Sequence, residues 1–265
     1  MGDSFGSFAQ VAFRSVLIVA VLVPIAAFRQ NLSSIEWRRD RKLFVLLLFS
    51  CALIGAPLYY ATLIVGVGLS STLFYAGFIL GMFTFGWMFS RERFTKDKIV
   101  ATVLGILGLI IIFNPSSTHF SLFALAMGLL SGIAAALDLV VSQKLRYSAD
   151  QTTILTWSAS VITCIPLAFL FHDTVPPIGI PWVFAVLFAA SALAASWLSI
   201  SGVKLISAGA AGILGLMEIV FGVLFGVVFF AERPSIIVWI GMVLILLAAA
   251  IPYVKEFIRE RRYIK

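Results

Sequence analysis

The chain is expected to be an all-α polytopic membrane protein with nine transmembrane helices in two inverted-topology repeats, four helices followed by five. Three observations predict this: the composition, the side on which the basic residues fall, and an internal repeat. Of 265 residues, 62% are apolar and 12% are charged, whereas a soluble domain carries about 45–50% apolar and about 25% charged residues. No water-soluble fold hides this much hydrocarbon.

Nine apolar stretches follow one another near 8–28, 43–65, 69–89, 99–113, 121–143, 151–171, 181–201, 207–230 and 236–254. A bilayer takes roughly 20 residues at about 1.5 Å each. The stretch 99–113 is short on this count and borrows flanking residues. Each segment must satisfy its own backbone where there is no water, so each is read as a helix. The first run has no Lys or Arg before it and no small-residue cleavage site after it, so it is expected to be retained.

Basic residues follow alternate spans: Arg29, Arg38, Arg39, Arg41 and Lys42 after the first, Arg91, Arg93, Lys96 and Lys98 after the third, Lys144 and Arg146 after the fifth, Lys204 after the seventh, and five more in the tail. This puts 17 of the 19 on one side, leaving Arg14 within span one and Arg233 on the other side. The positive-inside rule then gives an external N-terminus and a cytoplasmic C-terminus in a plasma (inner) membrane. The net charge of +7 follows from this asymmetry; it points to anionic lipid rather than to nucleic acid.

Residues 68–113 and 209–254 match at an offset of 140. Glu92-Arg93 falls on Glu232-Arg233, Phe85-Gly86 on Phe225-Gly226, Phe89 on Phe229 and Val103-Leu104 on Val243-Leu244. Charges are rare here, so the Glu-Arg match is the informative one. One Glu-Arg loop is cytoplasmic and the other external, so the copies are upside down relative to each other, a recurring plan in secondary transporters. The offset lays spans six, seven and eight on spans one, two and three; span five finds almost no chain to match. The halves are therefore 1–115, with four helices, and 116–265, with five and a basic tail; the expectation is that a first helix is missing. The joint is 114–120.

Phe13-Arg14-Ser15, Tyr59-Tyr60-Ala61, Ala136-Leu137-Asp138, Met217-Glu218-Ile219-Val220 and the two Glu-Arg segments stand in an order that resembles the drug/metabolite transporter superfamily, specifically its EamA-type ten-helix members. The family's Trp and Tyr are replaced by Ala135 and Asp138, and its ninth-helix proline by Ile219. The resemblance implies transport of small organic metabolites such as amino acids, often as export, by alternating access.

The motif residues Glu92, Thr95, Glu232 and Ser235 have a structural reading. Each pair closes one helix and opens the next, where Thr95 or Ser235 suits an N-cap and a carboxylate can accept amide hydrogen bonds; gating or ion coupling is the alternative. Charges within spans are costly and are the better functional candidates. Glu218 lies near mid-membrane and its repeat mate is Phe78; it either lines a cavity and binds a cation or a proton, or is a buried partnered carboxyl. Asp138, in the cytoplasmic third of span five, either faces the cavity or pairs with a basic residue. Arg14 either snorkels or holds a substrate carboxylate, for which a planar donor fork is well shaped. Tyr60, Tyr75, Trp157 and Trp197 fall inside spans, where they pack or stack on a ligand.

Cys51 and Cys164 read as buried thiols. Neither a phosphate-cradling loop nor metal-ligand spacing is visible, so no enzyme activity, cofactor or metal is expected. The partners expected are a small-molecule substrate, a proton as coupling ion, the lipid bilayer and a second copy of the chain. The rival readings are a non-transporting membrane partner or truncated relic, and a lipid-translocating protein.

Overall fold

The computed structural model describes residues 5–28, 39–92, 95–113 and 121–263, with residues 7, 56, 230 and 252–263 described by backbone alone. Trp37, Arg93 of the first Glu-Arg pair and the joint 114–120 lie outside the described residues. The described elements are α1 (Ser7–Phe28), α2 (Arg41–Ser90), α3 (Lys96–Phe113), α4 (Leu122–Lys144), α5 (Ala149–Leu170), α6 (Ile180–Val203), α7 (Ala208–Gly215), α8 (Met217–Phe230) and α9 (Ile236–Tyr263). No strand occurs among the described residues. Among the described residues, six helical segments are long and apolar enough to cross a bilayer, and Ile236–Ile251 is a shorter apolar one.

Two elements depart from uninterrupted spans. α2 has 50 residues, roughly 75 Å if straight and more than twice the hydrocarbon thickness. Gly66 breaks it with φ 82° and ψ 164°, a left-handed value that a residue without Cβ adopts cheaply. The arms 41–65 and 67–90 are each of bilayer length. The stretch 207–230, expected as one helix, is interrupted at Leu216. There the amides of Leu216 and Ile219 bond three residues back, to Ile213 and Leu216, at 3.1 Å, the tightened pattern of a 3₁₀ turn. Leu216 is fully buried, and methyl groups added to Gly212 or Gly215 would crowd Met82 and Phe78. Close packing on these side chains therefore sets the backbone path.

Contacts divide the chain into two compact units, Met1–Tyr59 with Leu137–Leu205 and Tyr60–Ala136 with Ile206–Lys265. Each draws residues from both sides of position 115.

In the first unit α1 packs on α5 and α6. Phe8 stacks on Phe171 at 5.3 Å at one end, and Leu22 and Ala26 share a core with Ile154 at the other, so α1 and α5 run antiparallel. Asp173 accepts from the amides of Phe8 and Ala9 at 2.6 and 2.8 Å, satisfying donors that the first turn of α1 would leave open. Ser148 and Gln151 form a capping box at the start of α5. Near by, the Lys204 ammonium donates to the Tyr147 carbonyl and the Thr152 hydroxyl, and Tyr147 donates to Asp40 at 2.7 Å. Burial lowers the pKa of Lys204.

In the second unit α3 packs on α9. A methyl group added to Gly105 would lie 3.8 Å from the Ala248 Cβ, and one added to Gly108 would lie 2.8 Å from the Ile245 side chain and from the Gly241 carbonyl. Ala101 and Ala248 share a core. Partner numbers fall as the α3 number rises, so these helices are antiparallel too. The contacts 105–248 and 108–245 exchange under the 140-residue offset. α1 with α5 and α3 with α9 are thus repeat mates lying antiparallel.

α4 crosses the second arm of α2 at its small residues. Methyl groups on Gly132 and Gly77 would overlap the carbonyl oxygens of Phe74 and Leu129 respectively. Association inside lipid depends on such close backbone approach. Gly132→Val is expected to cost about 3 kcal/mol or more, lowering the thermal midpoint in detergent by roughly 6–12 °C. Gly202→Ala, where an added methyl meets nothing within 4 Å, should leave the midpoint within about 2 °C.

Candidate functional site

The first unit encloses a cavity of about 320 Å³, at the small end of ligand cavities. α1 supplies Arg14, the first arm of α2 supplies Cys51, α4 supplies Asp138, α5 supplies Thr156, Trp157, Ser160 and Cys164, and α6 supplies Ser196 and Ser199. On α5 the residues 156, 160 and 164 recur every four positions and so share one face; Ser196 and Ser199 on α6 are three apart.

Arg14 comes to the cavity because α1 runs antiparallel to α5 and beside α6. Its guanidinium carbon sits 5.1 Å from the Trp157 ring centre and 4.7 Å from that of Phe188, within cation–π range. The rings fix the fork but satisfy none of its N–H donors. The buried Nε has no hydrogen-bond partner among the described residues, and neither do the buried Thr156 hydroxyl and Trp157 indole N–H. An unsatisfied buried polar atom is unfavourable. All three belong to residues that line the cavity, and a guanidinium fork is well shaped for a carboxylate.

Asp138 brings the opposite charge. The Cys51 thiol donates to its Oδ1 at 3.6 Å and lies 3.6 Å from the Thr156 carbonyl; the Ser50 hydroxyl donates to the Leu47 carbonyl at 2.9 Å. A thiol is a weak donor. Neither Arg14 nor Asp138 makes an ion pair among the described residues. The cavity thus holds a guanidinium and a carboxyl group, neither paired with an opposite charge among the described residues.

Of the residues singled out from sequence, the cavity gathers Arg14, Asp138 and Trp157. Trp197 is exposed and donates from its indole to Asp150 at 2.7 Å. Tyr60, Tyr75 and Glu218 belong to the second unit. Tyr60 packs edge-on against Phe123. Tyr75 lies near the Glu218 carboxylate. Glu218 is exposed, in the first turn of α8 just after the break at Leu216. Sequence reasoning missed Cys51, Cys164, Thr156, Ser160, Ser196 and Ser199 as cavity residues. Their signal was present, as polar side chains at three- and four-residue spacing within apolar spans.

Among the motif residues, Thr95 and Ser235 each stand one residue before a helix, α3 and α9, and their carbonyls accept from Ile99 and from Val238 and Trp239. Glu92 caps a helix start, but a distant one. Its carboxylate accepts from the amides of Ala208 and Gly209 at 2.7 and 3.2 Å at the head of α7, and from Lys98 at 3.2 Å. Glu232 is exposed.

The chain matches the EamA-like transporter family over residues 1–114 and again over 122–253. It is 26% identical over 145 residues to an uncharacterized transporter of Archaeoglobus fulgidus, which covers 55% of this chain and 51% of that protein. It is 25% identical over 249 residues to solute carrier family 35 member G1 of Mus musculus, which covers 84% of this chain and 64% of that one. The chain thus spans about half to two thirds of the length of these relatives. A crystal structure at 18% identity superposes with a TM-score of 0.76, covering 92% of this chain and 88% of the other, which shows a shared fold. Two family matches in tandem and an all-helical fold with several helices long and apolar enough to cross a bilayer agree: the chain belongs to the EamA-like transporter family.

Proposed function

We propose that the chain is a secondary transporter of small organic solutes carrying both an acidic and an amino group, as amino acids do. It works by alternating access between two inverted bundles, with export as its direction. The observation that carries this is the cavity in the first unit, where Arg14 and Asp138 are both present and neither has an ion-pair partner among the described residues. In this reading Arg14, Trp157 and Thr156 hold the carboxylate and Asp138 holds the ammonium. Proton coupling would use Asp138, which a solute amine and a proton can occupy in turn, or Glu218, which stands at a helix break of the kind that carriers use for ion sites. The antiparallel packing of repeat mates supports the inverted arrangement of four and five helices.

Counterflow in proteoliposomes tests it. Vesicles preloaded with a mixture of amino acids should accumulate labelled solute transiently, and an imposed pH gradient should change the rate. Absence of counterflow across amino acids, organic acids and amines would end this reading and leave the non-transporting one. The lipid-moving alternative has one observation in its favour, an open apolar groove on α6 at Phe184, Leu187, Phe188 and Ser191. Scrambling of labelled lipid in the same vesicles, without solute counterflow, would select it.

A further inference from the structure

Contacts within the second unit can be compared with their mates 140 residues away, and one fails to repeat. Glu92 and Glu232 enter the same turn. Each follows a residue in the left-handed region, Arg91 and Ala231, both with φ 52°. The Glu92 amide donates to the Gly86 carbonyl at 3.3 Å and the Glu232 amide to that of Gly226 at 3.1 Å. Both carboxylates fold over that glycine. A methyl group at Gly86 would come within 3.4 Å of the Glu92 carboxyl, and one at Gly226 would overlap that of Glu232.

From there the copies part. Glu92 takes two amides at the head of α7, and Lys98 braces it while also reaching the Ser207 hydroxyl at 3.3 Å. The offset carries Ala208 and Gly209 onto Gly68 and Leu69, immediately after the Gly66 break, at the head of α2's second arm. Glu232 is exposed and accepts no side-chain hydrogen bond among the described residues. The sequence explains the difference. Lys98 maps to Val238 and Ser207 to Val67, so the second copy keeps the carboxylate but has neither the cation nor the capping hydroxyl.

We infer that Glu92 and Glu232 are two latches at opposite membrane faces, closed in alternation, with the Glu92 latch the stronger and closed in this structure. This rests on the alternating-access reading. In inverted repeats the two end states exchange the conformations of the copies, so a contact made in one copy and open in the other marks one end of the cycle. The Glu92 latch joins the end of α2 to the head of α7, and releasing it frees those two ends to separate. The missing brace at Glu232 sets the resting bias.

Hydrogen exchange of the full chain in vesicles reads the latch where it sits, at the amides of Ala208 and Gly209. Glu92→Ala should raise exchange there roughly tenfold or more, the effect of losing a charged hydrogen-bonded contact. Lys98→Met should do the same in smaller measure, and Glu232→Ala should leave exchange there as in wild type. Glu92→Gln, which keeps one acceptor but not the charge, covers the case in which Glu92→Ala fails to fold, and should lie between. A solute that wild type carries in counterflow should raise exchange at the same amides, because cycling opens the latch. If wild type performs counterflow while its carried solute, Glu92→Ala and Glu92→Gln all leave this exchange unchanged, the latch is overturned and transport stands. If wild type performs no counterflow, transport falls and the latch falls with it.

Discussion

Arg14→Ala is expected to lower counterflow by roughly a hundredfold or more while the protein remains folded. The guanidinium makes no ion pair among the described residues and lies between two aromatic rings with its Nε unpartnered, so the variant loses cation–π contact that packing can partly replace. What cannot be replaced is the fork that receives a carboxylate. Losing a buried charged partner of that kind costs about 3–5 kcal/mol, and each 1.4 kcal/mol is about tenfold. Arg14→Lys keeps the charge but presents a compact ammonium instead of a planar fork, and should recover only a small part of the rate. Counterflow rates alongside thermal midpoints decide the matter: a rate near wild type in Arg14→Ala would remove Arg14 from the site.

Asp138→Asn should change which solutes are carried. The substitution keeps shape and the contact to the Cys51 thiol but removes the negative charge. Solutes bearing an ammonium should lose roughly 30- to 150-fold in competition, the effect of about 2–3 kcal/mol from one charged partner. Deaminated acids of the same size should lose little, so the preference between the two classes inverts or flattens. Equal losses for both would mean that Asp138 supports the cavity wall instead of reading the amine.

The membrane fold was legible because its causes are additive along the chain. Long apolar runs need no tertiary information to be read, and neither does a Glu-Arg pair repeated 140 residues on. The break at Leu216 was not legible, since it depends on how closely Gly212 and Gly215 meet Met82 and Phe78. Three of the seven binding candidates share the cavity because a charge or indole inside a span is rare enough to be noticed singly. The serines, threonine and cysteines beside them were passed over, as such residues can bond their own helix's carbonyls and carry little cost. Ser160 does so, donating to the Thr156 carbonyl at 3.3 Å. The position of Glu92 suggests that it serves the helix that follows it, and Lys98 on that helix does bind it, but the amides it caps are more than a hundred residues away. Sequence neighbours suggest local capping; only the packing of α3 against α7 brings the distant amides into reach.

The seam between α3 and α9 has a history written in its side chains. Were two identical halves to meet there as separate molecules, every substitution would land on both sides at once. Joined in one polypeptide, the halves could diverge in compensating steps, and they have. Position 105 is glycine where its counterpart 245 is isoleucine, and that isoleucine lies against Gly108, while the alanine matching Gly108 lies against Gly105. Bulk gained on one face is met by bulk withheld on the other. Tethering thus releases the interface from self-complementarity, and the same freedom lets one half specialise in a braced glutamate while the other keeps a bare one.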